Sequence, residues 1–236
     1  MNKFILAYLL LTFSANALVA NLAVEDSWPP YSDENGKGIS TNIIKAAFKA
    51  VDVETKVNVF PYARALRVVQ TGEYDGCYNV TKQESTKKLF HFGEEPILKS
   101  QASFFQHRET PLKYEAIHEI PKGTTLVLIR GYEYGDNFDK IKNHFKLFYV
   151  NSQKQIIKMI LNKRATLTIM FDNVAKYHLK GNPRAKEIKK TIPNHVSDIY
   201  VGFNLKSTKS KTLSKKLDEG LRIIKANGVY SKLIQF

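Results

Sequence analysis

The sequence predicts an α/β protein of two lobes, each a mostly parallel sheet flanked by helices, joined by two strands that cross between them. Three observations carry this. Residues 22–80 switch repeatedly between the two-residue period of a strand and the 3.6-residue period of a helix, in the order strand, helix, strand, helix, strand. That order implies parallel pairing with helical crossovers. A second alternation of the same kind starts near Thr124, and two extended segments, residues 103–107 and 200–205, bracket it as the crossing strands.

Leu22, Ala23 and Val24 form a short strand that runs into Asp26, Ser27, Trp28, Pro29, Pro30 and Tyr31. The prolines forbid regular pairing, so this is a rigid loop carrying aromatics. Ser40 or Thr41 caps the next helix, whose buried face is Ile43, Ile44, Ala47, Phe48 and Val51. Thr55, Val57 and Val59 alternate with Lys56 and Asn58 as a half-buried strand leading into Phe60. Pro61 breaks it. Ala63, Ala65, Leu66 and Val69 then mark a short helix ended by Gly72, and residues 75–80 return as a strand.

In the second unit, residues 125–129 are a continuous apolar strand of the kind buried on both faces. A turn through Arg130, Gly131, Tyr132, Glu133, Tyr134 and Gly135 leads to a helix through Phe138 and Ile141, then a strand at 147–150. An amphipathic helix runs from Ser152 to Leu161, and residues 167–171 form another buried strand with Asp172 at its carboxyl end. A helix through Val174, Ala175 and Tyr177 follows. The chain closes on an amphipathic helix through Leu213, Leu217, Leu221 and Ile224, which ends at Asn227 and Gly228 before a short turn through Tyr230 and Leu233.

The first residues have the order of a secretory signal: Lys3, an uncharged apolar run over residues 4–13, then small residues ending in Ala17 and Ala20. The run is shorter than the roughly 20 residues a spanning helix needs. Residues 1–20 are therefore expected to be a cleaved signal peptide, with residues 21–105 and 203–236 forming one lobe and 106–202 the other. The single cysteine, Cys77, excludes an internal disulfide and is expected to be buried as a small hydrophobe. A net charge of +14 invites a nucleic-acid reading, but the lysines are scattered and export argues against it. None of the six histidines has a metal-ligand spacing, so neither metal nor cofactor is expected.

Taken together, Trp28-Pro29-Pro30-Tyr31, Gly72-Glu73-Tyr74-Asp75-Gly76, Thr81 followed by Phe92 and Pro96, Phe171-Asp172-Asn173-Val174-Ala175, and Asn227-Gly228 resemble the bacterial extracellular solute-binding proteins of family 3, the polar amino-acid transport type. The resemblance covers the whole mature chain. It implies the periplasmic-binding-protein type II fold, a small amino-acid-like ligand between the lobes, a periplasmic monomer, and delivery to an inner-membrane permease or a sensor.

Carried over residue by residue, the resemblance makes Trp28 the aromatic that packs on the ligand, with Tyr31 and Asp26 beside it. Tyr78, Asn79 and Thr81 lie where the ligand carboxylate is held, and Asp172 matches the acid that receives its ammonium group; Asp172 also suits a helix cap. The sequence departs from the pattern in two places. Glu84 stands where the family has an arginine, which leaves Arg64 or Lys82 to supply the charge. Residues 165–168 lack a further acid, which argues against a basic ligand side chain. Gly131, Tyr132 and Tyr134, at the strand-to-helix turn of the second lobe, either line the cleft or pack beneath it. A dehydratase- or lyase-like enzyme on the same fold, and a sensor or docking protein without a transport role, are the alternatives.

Overall fold

A computed structural model describes residues 18–235. The expected apolar targeting run lies outside the described residues. Leu18, Val19 and Ala20, which a cut after Ala20 would remove, open the first strand and pair with Val53, Glu54 and Thr55.

The first unit is β1 (Leu18–Glu25), α1 (Ile39–Lys49), β2 (Val53–Phe60), α2 (Tyr62–Gln70) and β3 (Gly76–Thr81). β1 pairs in parallel with both β2 and β3, so each helix is a crossover. Every residue of β3 is buried, whereas β2, at the sheet edge, alternates. Helix α1 starts earlier than expected. Gly38 caps it at φ 147°, where a Cβ would run into the Tyr31 carbonyl. Ser40 and Thr41 are thereby drawn into the buried first turn, and the Thr41 hydroxyl meets that of Tyr78 at 2.8 Å.

A short helix, α3 (Glu84–Lys87), and a three-residue strand, β4 (Phe90–Phe92), precede the long β5 (Leu98–His107). The second unit is β6 (Thr125–Ile129), α4 (Asp136–Ile141), β7 (Lys146–Val150), α5 (Gln153–Leu161), β8 (Leu167–Phe171) and α6 (Asp172–Leu179). β6 pairs in parallel with β7 and β8. Ser152 caps α5 by accepting from the Gln155 amide. The 17-residue β9 (Ile188–Asn204), α7 (Thr208–Ala226) and α8 (Val229–Leu233) complete the chain.

All strands join one mixed sheet of order β2-β1-β3-β9-β5-β8-β6-β7, with β4 on β9. The antiparallel pair β5–β9 is its spine. The early part of β9 follows β5 inside the second unit, and Ile199 to Phe203 pair with β3 of the first. The boundaries expected at 105/106 and 202/203 fall inside these two strands. Pairing hands over earlier, because residues 102–106 already pair with β8 and 199–203 already pair with β3. Register shifts interrupt β5–β9 around Ser103, which lies opposite Pro193, a residue with no amide to donate.

On the first unit Leu213, Leu217, Leu221 and Ile224 of α7 are buried with Ala47 and Phe48 of α1. Each of the leucine, isoleucine and phenylalanine side chains contributes roughly 1.5–3 kcal/mol. Cys77 is fully buried, as the sequence suggests. No described helix is long and apolar enough to cross a membrane.

Candidate functional site

The carboxyl ends of β1, β3, β6 and β8 converge between the two units, the position where open parallel sheets leave a crevice. Glu25 ends β1, Asn79 and Thr81 lie at the end of β3, Tyr132 and Glu133 follow β6, and Phe171 ends β8. Trp28, from the loop after β1, and Tyr62, the first residue of α2, complete the lining of a tight pocket whose free volume, about 10 Å³, is that of a single water, so a solute enters only as the units part. Among the described residues, no lysine, arginine or histidine lines it.

Two carboxylates are buried here, and each is held by a tyrosine of the opposite unit. The Tyr132 hydroxyl donates to Glu25, and the Tyr62 hydroxyl donates to Glu133 at 2.6 Å. The two tyrosine rings meet edge to face, centroids 4.9 Å apart. Burial pushes the Glu25 carboxyl well above the ordinary range, against the hydrogen bond from Tyr132, and the charges of Glu133 and Asp26 add to the rise. Burial raises Glu133 to about 7, although hydrogen bonds from Tyr62 and from the backbone amides of Thr81 and Glu133 oppose it.

Two polar atoms of the lining are buried without a partner: Asn79 Oδ1 and Trp28 Nε1. Asn79 is held at φ 69° while its amide nitrogen donates to Ser32 Oγ at 2.9 Å. Trp28 is 1% exposed and packs against Tyr31 and, edge to face at 5.0 Å, Phe171. Unsatisfied buried groups are costly and call for an explanation.

Of the residues expected from sequence, Trp28, Asn79, Thr81 and Tyr132 line this cavity. Tyr31 is buried beside Trp28, and its hydroxyl accepts from Asn173 of the second unit at 2.9 Å. Asp26 is half-buried in a neighbouring surface groove with Asn151, Lys154 and His178. Tyr78 is spent on its contact with Thr41, and the Tyr134 hydroxyl accepts from the Ile129 amide at 2.8 Å; both lie outside the lining. Gly131, at φ 85°, lets the loop after β6 approach Ala63 of α2.

The two candidates for a replacement cation are elsewhere. Arg64 is exposed and lies over the Phe60 ring, because α2 turns its apolar side to the sheet and carries Arg64 on the other. Lys82 is exposed, bonded to the Gly93 carbonyl and set over the Tyr200 ring. Asp172 pairs with Lys190 of the same chain at 3.1 Å. Glu84 bonds Lys87, and its amide donates to Asp136 of the second unit at 3.1 Å. Sequence reasoning passed over Glu25, Tyr62, Glu133 and Phe171. The available signal was the setting of Glu25 and Glu133, each a carboxylate beside aromatics at a strand end.

The profile of the bacterial extracellular solute-binding proteins, family 3, matches residues 20–235. The chain belongs to this family. No curated protein sequence matches it. Solved structures of similar fold include an amino-acid ABC transporter substrate-binding protein from Streptococcus pneumoniae bound to L-arginine, with TM-score 0.74, 18% identity and 92% of each chain covered. A histidine kinase sensor domain with similarity to periplasmic binding proteins aligns at TM-score 0.78 and 14% identity, over 92% of this chain and 94% of that one. An ancestral amino-acid-binding protein, a precursor of cyclohexadienyl dehydratase, aligns at TM-score 0.73 and 16% identity, over 91% and 93%. At these identities the likeness establishes the type II periplasmic-binding fold of this family 3 protein, while its neighbours span transport, sensing and an enzyme lineage.

Proposed function

We propose that this family 3 protein captures a small polar solute bearing an amine in the cavity between its lobes, outside the cytoplasmic membrane, and presents it to an ABC-type permease. The observation that carries this is the lining itself. Side chains from four strand ends of two lobes enclose buried polar atoms, Asn79 Oδ1 and Trp28 Nε1, that the protein leaves unpaired. Trp28, Asn79, Thr81 and Tyr132 contact the solute with Glu25, Tyr62, Glu133 and Phe171, and the lobes close on it about β5 and β9. Export uses a signal peptide cut after Ala17, which leaves β1 whole from Leu18. In a thermal-unfolding test against amino acids, amines, carboxylates and short peptides, a solute at a hundred times its Kd adds about 2.7 kcal/mol of stability. Stabilisation by a permease fragment with no solute present would instead favour a docking protein.

One observation favours a second reading, a dehydratase- or lyase-like enzyme. Glu133, which burial raises to about 7, is poised to exchange a proton at neutral pH between the two lobes. Consumption of the stabilising solute, lost in Glu133→Gln, separates this reading from capture.

A further inference from the structure

The cavity lining is rich in acceptors. Glu25 and Glu133 bring two carboxyl groups, and Asn79 Oδ1 is a third acceptor, in a side chain only 5% exposed, with no donor. A primary ammonium group has three N–H donors and no acceptor. It matches this set, whereas a quaternary ammonium, with no N–H, would leave Asn79 Oδ1 unpaired. Four of the eight lining residues, Trp28, Tyr62, Tyr132 and Phe171, are aromatic, and aromatic faces attract cations.

A ligand carboxylate finds nothing comparable. Among the described residues no cationic side chain lines the cavity, and Arg64 and Lys82 are exposed elsewhere. A carboxylate enclosed beside Glu25 and Glu133 opposes their ionisation and finds no opposing charge among the lining side chains. The remaining unpaired atom, Trp28 Nε1, is a donor, and one neutral acceptor such as a hydroxyl satisfies it.

We propose that the interlobe cavity binds a primary amine that lacks a carboxylate, such as an amino alcohol or a diamine, rather than a zwitterionic amino acid. The proposal rests on solute capture between the lobes and names the chemistry of the solute. Binding a cation favours the ionised forms of Glu25 and Glu133, so it releases protons. The groups facing these acids are Tyr132, Asp26 and Asn79 around Glu25, and Tyr62, the Thr81 amide and Asp139 around Glu133, with each acid also acting on the other's surroundings. None of these is a cation, so affinity for an amine rises with pH through about 7, the value for Glu133.

Isothermal calorimetry on the unfolded-and-refolded whole chain, with matched probes, tests this: ethanolamine against glycine, 4-aminobutan-1-ol against 4-aminobutanoate, and 1,4-diaminobutane. Expected is at least tenfold tighter binding of each carboxylate-free amine than of its partner, with affinity several-fold higher at pH 8 than at pH 6. Glu133→Gln is expected to weaken amine binding at least tenfold and to flatten that pH dependence. Tighter binding of glycine or 4-aminobutanoate overturns the proposal while leaving solute capture standing. Binding of none of the five probes overturns it also, and the broader panel of amino acids, carboxylates and peptides then decides whether capture itself fails.

Discussion

Replacing Glu133 with glutamine should change how the stability of the unliganded protein varies with pH. The carboxyl is buried and sits at about 7 in the folded protein, against an ordinary value of 4.5. A raised carboxyl binds more protons folded than unfolded between these values, so it contributes stability that is complete below about 4.5 and disappears as pH rises through about 7. With those two values, the contribution falls by roughly 2.5 kcal/mol between pH 5 and pH 8. His178 and His195, which burial holds at about 4, act in the opposite sense over the same range, since they favour the unfolded state as pH falls. The informative quantity is therefore the difference between variant and wild type, in which those histidines cancel. Urea unfolding at pH 5, 6, 7 and 8 should show Glu133→Gln gaining roughly 2.5 kcal/mol on the wild type across the series. A difference that stays constant with pH would refute the claim that burial raises the Glu133 carboxyl despite its hydrogen bonds.

Other substitutions test separate parts of the structure. Tyr62→Phe removes the 2.6 Å bond to Glu133 across the lobes and should cost about 1.5–3 kcal/mol in denaturant unfolding at neutral pH. Asp218→Asn weakens the buried carboxylate that accepts from the Glu94 and Glu95 amides, each at 3.0 Å, and should cost about 1–3 kcal/mol by the same assay. Gly220→Ala puts a Cβ against the Ala47 carbonyl where α7 crosses α1, so overpacking of about 1–3 kcal/mol should appear as a lowered Tm. Asp172→Asn breaks a partly exposed pair with Lys190 and should change stability by less than about 1 kcal/mol, with solute affinity by calorimetry unaltered. A large loss of affinity there would restore the ammonium-receiving role that the family resemblance implies.

The strands and helices that bury one regular face were legible in the sequence. β8 falls at 167–171 as its apolar run indicates, and Ser152 caps α5 with its own side chain. The elements that depend on long-range pairing were not. β9 runs for 17 residues through Lys189, Lys190 and Pro193, a stretch whose polarity hides a strand that two different partners hold in place. α3 and β4 are too short to show a period at all. At the site, position along the chain located the aromatic loop and the end of β3, but not which polar side chains turn inward. Arg64 sits two residues from Tyr62 on the same helix, yet one points to solvent and the other reaches Glu133, a difference set by how α2 packs. Glu25 and Glu133 were hidden for a related reason. A carboxylate in a strand-end turn reads as solvated until the opposite lobe covers it.

The central claim is that a small solute is held between the lobes, and the single tryptophan gives the most direct view of it. Trp28 is the chain's only tryptophan and forms part of the cavity wall. Titration of the unfolded-and-refolded protein with primary amines and amino acids, followed by tryptophan emission, should give a saturable change with at least one solute, lost in Glu133→Gln. Emission that stays flat across the series, in protein shown by circular dichroism to be folded, would contradict the account.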